Sequence, residues 1–409
     1  NPTQTITDLN GAGNLNLNGD TLTTTGSGTN TFSGIISGSG ALVMDGTGSL
    51  TLSGDNTYSG GTTLESGTVA INTTNNLGTG PVTVDGGALE TLKDTNITVP
   101  INVGKSGFTV NNNGHTDSYS GDISGTGPVT FTGSGTTILT GTNTYSGGTT
   151  VSAGTLEGDA ASLQGNIVND ATTVFDQSGT GFYHGQMSGS GEMIKDGVGT
   201  LTVTNRNTYT GGTTINAGTL QVGGPKYIGA SIGGPVLVNT RGFLDGMGTV
   251  AGDVTNSGTV ISGVGQQGGL TIQGNYTQTP TGTLDVHIPS VSDRLPQTTP
   301  TPLQVGGQAD LNGHLAVTGS GVSIYSMGKA YTAVHATGGI TGHFSSANVT
   351  NPQVSPYIAP QVTYTHNTAT VVMDPVSSTD PSQSAIQGRA QIANAMVVKT
   401  PALLENLTR

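Results

Sequence analysis

Hydrophobic positions along this chain come in short alternating runs, punctuated by Gly, Asn, Asp and Ser. In Thr62-Thr63-Leu64 and Thr68-Val69-Ala70-Ile71 the alternation has period two, the spacing of a strand with one buried face. Gly pairs between the runs supply the positive-φ corners that tight turns need. The pattern therefore predicts many short strands joined by tight turns, and few segments read as helix before residue 380.

The runs are also organised into repeats. Residues 34–71, 121–158 and 185–222 align with one another as blocks of equal length, without a gap. They share the signature N-T-Y-[ST]-G-G-T-T-x-x-x-G-T-[LV], which begins at Asn56, Asn143 and Asn207. The inserts between them, 72–120 and 159–184, are unequal. A propeller needs evenly repeated blades, and a sandwich gives no reason for the same ungapped block three times. A solenoid accepts unequal inserts, because extra coils extend the stack. Each block fits about two coils, and the first 280 residues are expected to form a rod on the order of 65 Å long.

Composition narrows the class. Glycine numbers 68 of 409 residues, and charged residues are only 9%. So sparse a charge argues against disorder, since Val, Ile, Leu and Thr recur throughout and can form a core. The net charge is −13 and the basic residues are scattered singly, so no cationic stripe exists to follow phosphates and nucleic-acid binding is not expected. The absence of cysteine excludes thiol catalysis, thiolate zinc sites and iron–sulfur clusters. It also suits a chain that crosses a narrow pore unfolded. No apolar run is long enough for a transmembrane helix. The chain begins at Asn1 with no visible signal peptide, as expected of a mature form or a cut fragment.

The three NTY-containing blocks resemble the passenger-associated transport repeat of autotransporters, the type V secretion family. The later segments SIGGPVLVNTRGFLDGMGTVAGDVTNSGTVISG, GGLTIQGNYTQTPTGTLDVHI, LQVGGQADLNGHLAVTG and YTAVHATGGITGHFSS resemble the C-terminal passenger coils and autochaperone cap. The Pro/Thr-rich stretch at 296–302 departs from that pattern and reads as an exposed loop. The resemblance implies a right-handed parallel β-helix with a C-terminal β-hairpin cap and a short terminal helix. It implies a repeat rod over 1–224, and a C-terminal β-helix with an autochaperone-like cap over 225–376. Residues 377–409 would be a linker, with its short helix leading towards an outer-membrane β-barrel translocator of the same precursor. The implied location is the surface or exterior of a Gram-negative bacterium.

Candidate chemistry is thin, and no catalytic, cofactor or metal residue is assigned. Gly229-Ala230-Ser231-Ile232-Gly233 matches the serine-hydrolase elbow, but a turn and another strand follow it instead of a helix. Gly263-Val264-Gly265-Gln266-Gln267-Gly268 matches a dinucleotide fingerprint, but again a strand follows. Asp293 and Arg294 read as an exposed or turn-stabilising ion pair. None of His115, His184, His287, His314, His335, His343 and His366 has helical zinc spacing, although His335 and His343 could meet across a hairpin. Glu65, Glu90 and Glu157 read as isolated, which leaves glycan cleavage without its paired carboxylates. Tyr58, Tyr145 and Tyr209 are expected to pack over their coils with the hydroxyls at the surface, the alternative being an aromatic patch for glycans.

These residues point to a non-enzymatic adhesin or self-associating scaffold, binding a copy of itself, a host surface or a glycan. Its C-terminal part would template folding during secretion. The other reading is a spacer displaying a protease or esterase that lies N-terminal to this chain.

Overall fold

The computed structural model describes residues 2–262, 269–288, 302–319, 328, 330–350 and 358–375. They form a parallel β-solenoid of about 14 turns. Among the described residues the only helical element is a single 3-10 turn, Thr74–Leu77. The terminal helix and linker expected over 377–409, the fingerprint at 263–268, and Asp293 with Arg294 all lie outside the described residues.

The register of the rungs shows the length of one turn. Thr21 stacks in parallel on Ala41, and Thr136 on Thr155. The rungs form three faces in the first half of the rod. The first face runs from Thr3–Ile6 to Ile123–Gly125, and the second from Thr29–Phe32 to Met187–Ser188. The third includes Leu15–Asn16 and Ile36–Ser37, then continues from Thr95–Ile97 upward. Period-two alternation sorts the side chains, as in Thr29–Phe32, where Asn30 and Phe32 are buried and the threonines exposed. Parallel register then lines up inward positions as Leu50, Val69, Leu89, Val110, Phe131 and Val151. All six are buried. One core cluster extends from Leu9 to Met373. Burying a Leu or Val side chain is worth about 1.5–3 kcal/mol, and a solenoid collects this gain only between neighbouring turns.

The repeats do not sit above one another. Ala41–Met44 belongs to the first face, Val129–Thr132 of the next block to the second, and Glu192–Asp196 of the last block to the third. Each successive block is thus rotated by one face. The insert lengths explain this. A block is close to two whole turns, whereas the inserts 72–120 and 159–184 are two turns and one turn, each with roughly a face left over. Equivalent outward residues of the three repeats consequently point in three directions.

Within the third block the cross-section changes. Thr213–Val222 runs continuously past a register shift at Ile215 and Ala217, pairing with both Glu192–Asp196 and Thr200–Val203. Two faces fuse there into one sheet. The remaining face carries Ser231–Ile232, Thr249–Val250, Thr271–Ile272, Leu303–Val305 and Ala330–Ala336. Its stacking ends when Thr368–Pro375 pairs antiparallel with Ala330–Ala336 and folds back on Ile358–Tyr364. This is the hairpin cap. Pro360 in its outermost strand lacks an N–H, which discourages further strand addition. Tyr364 fixes the cap: its Oη accepts the Phe344 N–H at 3.0 Å, and the His343 ring meets it edge-on at 4.5 Å.

Candidate functional site

The repeat signature builds a buried polar bolt. Asn56 Oδ1 accepts the Ile36 N–H from the turn below at 2.8 Å, and its Nδ2 donates to Asn76 O in the turn above at 2.6 Å. Asn143 does the same between Ile123 N (2.9 Å) and Ser162 O (2.9 Å). Asn207 accepts from Met187 N at 2.8 Å and donates to Ser231 O at 3.0 Å. Each asparagine therefore ties three turns together. Further along the signature, Tyr58, Tyr145 and Tyr209 hydrogen-bond Thr62, Thr149 and Thr213 respectively, each at 2.6 Å. The expectation that these rings pack is met. The expectation that their hydroxyls reach the surface is not: the rings are buried, and burial pushes the phenol pKa values up. The threonine of the same signature supplies the internal partner that makes burial tolerable. An aromatic patch made by the repeats is thereby excluded.

The other candidates fall apart spatially. Ser231 lies in the strand Ser231–Ile232, and Gly233 leads through a turn into another strand, Val236–Gly246. His335 contacts Gln304 at 3.2 Å, while His343 packs on Tyr364, so the two histidines are engaged separately. No group of three or more His, Asp or Glu suited to a metal occurs among the described residues. Glu157 is not isolated, which corrects the sequence expectation. Burial first, then the charges of Asp176 and Asp196, push its pKa up. Residues one full turn apart become rung neighbours, and inspection of local sequence misses such pairs. Within a single strand, alternation sets His287 Nε2 3.4 Å from Asp285 Oδ2, a contact that holds the imidazole protonated to higher pH than usual.

Nothing in the local sequence marks Lys195. It occupies the inward position held by Met44 and Phe131 in the sister blocks, and its side chain is buried. Nζ donates to the carbonyls of Asp196 (2.6 Å), Gly197 (2.8 Å) and Ala217 (3.2 Å). Burial lowers its pKa. The folded state thus binds this proton less tightly than the unfolded chain. The group costs stability at neutral pH, and the cost is relieved as pH rises through the depressed folded value towards the ordinary lysine range. Lys195→Met, which restores the residue of the first block, is expected to melt at or above the parent at pH about 7, with the gap closing in alkali. Thermal melts of both proteins across that range check it. A lower melting temperature for the methionine variant throughout would show that the carbonyl bonds outweigh desolvation.

On the second face two adjoining recesses of about 420 and 320 Å³ form one trough, with Arg206 and Thr208 in the wall of both. The trough crosses the rungs from Ile167 to Gln273. Its walls carry short polar groups, among them Ser188, Ser231, Gln186 and Gln273, and no lining residue is acidic. Arg206 is exposed and has no ion-pair partner among the described residues. At the corner beside it Phe182 stacks on His184, with ring centres 6.0 Å apart and planes 6° from parallel. The Tyr227 ring lies 6.0 Å beyond. Phe182 is 46% and Ile228 69% exposed.

Stacked rungs, three buried bolts and a terminal hairpin define a repeat-bearing solenoid whose signature residues serve its own stacking. The passenger-associated-transport-repeat family model matches residues 42–71, 129–157 and 193–222, the three blocks. The chain is 32% identical over 301 residues, 68% of its length, to an adhesin autotransporter, BmaC, of Brucella suis biovar 1 (strain 1330). That match takes in 7% of the adhesin. It is 29% identical over 212 residues, 46% of its length, to an extracellular serine protease of Serratia marcescens, of which it covers 18%. An uncharacterized protein of Escherichia coli (strain K12), YuaQ, is 33% identical over 156 residues, or 37% of the chain and 11% of the relative. The chain thus spans less than a fifth of each of these relatives. It is an autotransporter passenger with β-helical repeats.

Proposed function

We propose that this passenger is a non-enzymatic adhesin or self-associating scaffold, held at the surface or outside of a Gram-negative cell. The observation that carries this reading is its similarity over 68% of its length to a protein named an adhesin. The outward rows agree with it. They are dominated by Thr, Ser and Asn, which offer many weak hydrogen bonds, and their sparse charge limits repulsion between neighbouring rods. Because the repeats face three ways, their outward residues form no single adhesive stripe. Attachment through the rod would draw on local surfaces. We further propose that residues 225–376 fold first outside the cell and offer an edge on which the rod over 1–224 stacks, each new turn skipping the cost of nucleation.

The second reading is favoured by the similarity to an extracellular serine protease: a spacer that displays an enzyme encoded upstream. Cells displaying the passenger separate the two. The adhesin reading expects faster settling, or attachment to host cells, than a strain with the translocator alone. Equal settling and equal attachment would sink it. Deleting residues 303–376 is expected to leave less protease-resistant passenger on the same cells, and undiminished resistance would count against templating.

A further inference from the structure

We propose that the second-face trough around Arg206 binds an extended anionic polysaccharide, with a ring carboxylate or sulfate on the Arg206 guanidinium. This rests on the adhesin reading and names the ligand class of one surface. Three independent features converge there. The first is charge. In a chain of net charge −13, an exposed arginine without an ion-pair partner among the described residues sits in a trough that has no acidic lining residue. A guanidinium offers paired donors to a carboxylate or sulfate.

The second feature is the lining. Ser188, Thr208, Ser231, Gln186 and Gln273 supply hydroxyls and amides that donate and accept, as sugar hydroxyls do. They repeat at the rung spacing of about 4.8 Å, so a chain laid along the rod meets a similar polar step at each turn. The third is the rim. Asn205, next to Arg206, donates its Nδ2 to His184 O at 2.6 Å, and exposed Ile228 adjoins Gly229 of the wall, so the Phe182–His184–Tyr227 group just outside the trough offers apolar ring surface to the C–H faces of pyranose rings. A nucleic acid fits poorly, since one cation neutralises one phosphate.

The purified full chain would be passed over immobilised hyaluronan, chondroitin sulfate, neutral dextran and polyglutamate. Binding is expected to hyaluronan or chondroitin sulfate: binding to both points to the carboxylate they share, and binding to chondroitin sulfate alone points to the sulfate. Arg206→Gln is expected to weaken it about tenfold, the worth of one charge-assisted contact. Phe182→Ser should weaken it severalfold, and Arg241→Gln, an exposed cation outside the trough, should leave it unchanged. Circular dichroism confirms that each variant stays folded. The proposal is overturned by binding to neither acidic polysaccharide, by equal binding to polyglutamate, or by equal loss in Arg206→Gln and Arg241→Gln. If displayed cells still attach while the purified chain ignores all four probes, the trough proposal fails and the adhesin reading stands.

Discussion

Asn143→Ala is expected to lower stability by about 2–5 kcal/mol, because it strands two buried backbone groups in two different turns. Ile123 N–H loses its acceptor and Ser162 C=O loses its donor. Neither can turn to water, since Asn143 is 2% exposed. Asn143→Asp is a sharper test: it keeps the acceptor for Ile123 but puts a carboxylate against the Ser162 carbonyl, so it should be no better tolerated than alanine near neutral pH. A solenoid need not unfold in one step, so a single midpoint can hide a local loss. Hydrogen exchange at Ile123 and in the turns around residues 143 and 162 reads the damage where it falls. Unchanged protection in those three turns would show that the asparagine bolt is ornamental. Tyr145→Phe, which removes only the 2.6 Å bond to Thr149, supplies the smaller neighbouring effect for scale.

Much of this architecture is legible because a solenoid writes its geometry into local sequence. Period-two runs such as Thr68–Ile71 mark strands, Gly pairs mark corners, and the three blocks mark stacking. What stays hidden is everything set by the turn length. Residues one or two turns apart come close, so Glu157 looks solitary in the sequence although Asp176 one turn up and Asp196 two turns up both push its pKa higher. The phase of the repeats is equally invisible, since a leftover of a third of a turn matters only once the rod has three faces. A tyrosine usually keeps its hydroxyl wet, and that habit misleads at Tyr58, Tyr145 and Tyr209. Their partners stand later in the same signature, at Thr62, Thr149 and Thr213. The trough has no sequence signal: Arg206, Ser188, Ser231 and Gln273 come from separate turns and share no motif.

The glycines of the signature divide into two kinds, and this yields the second large prediction. In each Gly pair the latter residue has positive φ: +94° at Gly61, +86° at Gly148 and +92° at Gly212. The former is there for room. A Cβ at Gly147 would lie 2.2 Å from the carbonyl carbon of Gly127 and 2.3 Å from Pro128 N. Gly60 approaches Gly40, and Gly211 approaches Gly191, in the same way. Both members of each contact belong to the same block, so Gly40, Gly127 and Gly191, each the seventh residue of its block, and the later Gly pair are two halves of one corner contact. Gly147→Ala must push whole rungs apart, backbone against backbone, and is expected to cost about 3 kcal/mol or more. Gly148→Ala meets nothing closer than 3.4 Å and bears mainly the left-handed backbone penalty of about 1–2 kcal/mol. At Gly28 a Cβ meets nothing within 4 Å and φ is not positive, so Gly28→Ala should be neutral or slightly stabilising through the unfolded chain. Limited proteolysis and denaturant melts of the three alanine variants should rank them Gly147, Gly148, Gly28 from worst to mildest. Any other order would mean that the corner contact does not set the spacing of the rungs.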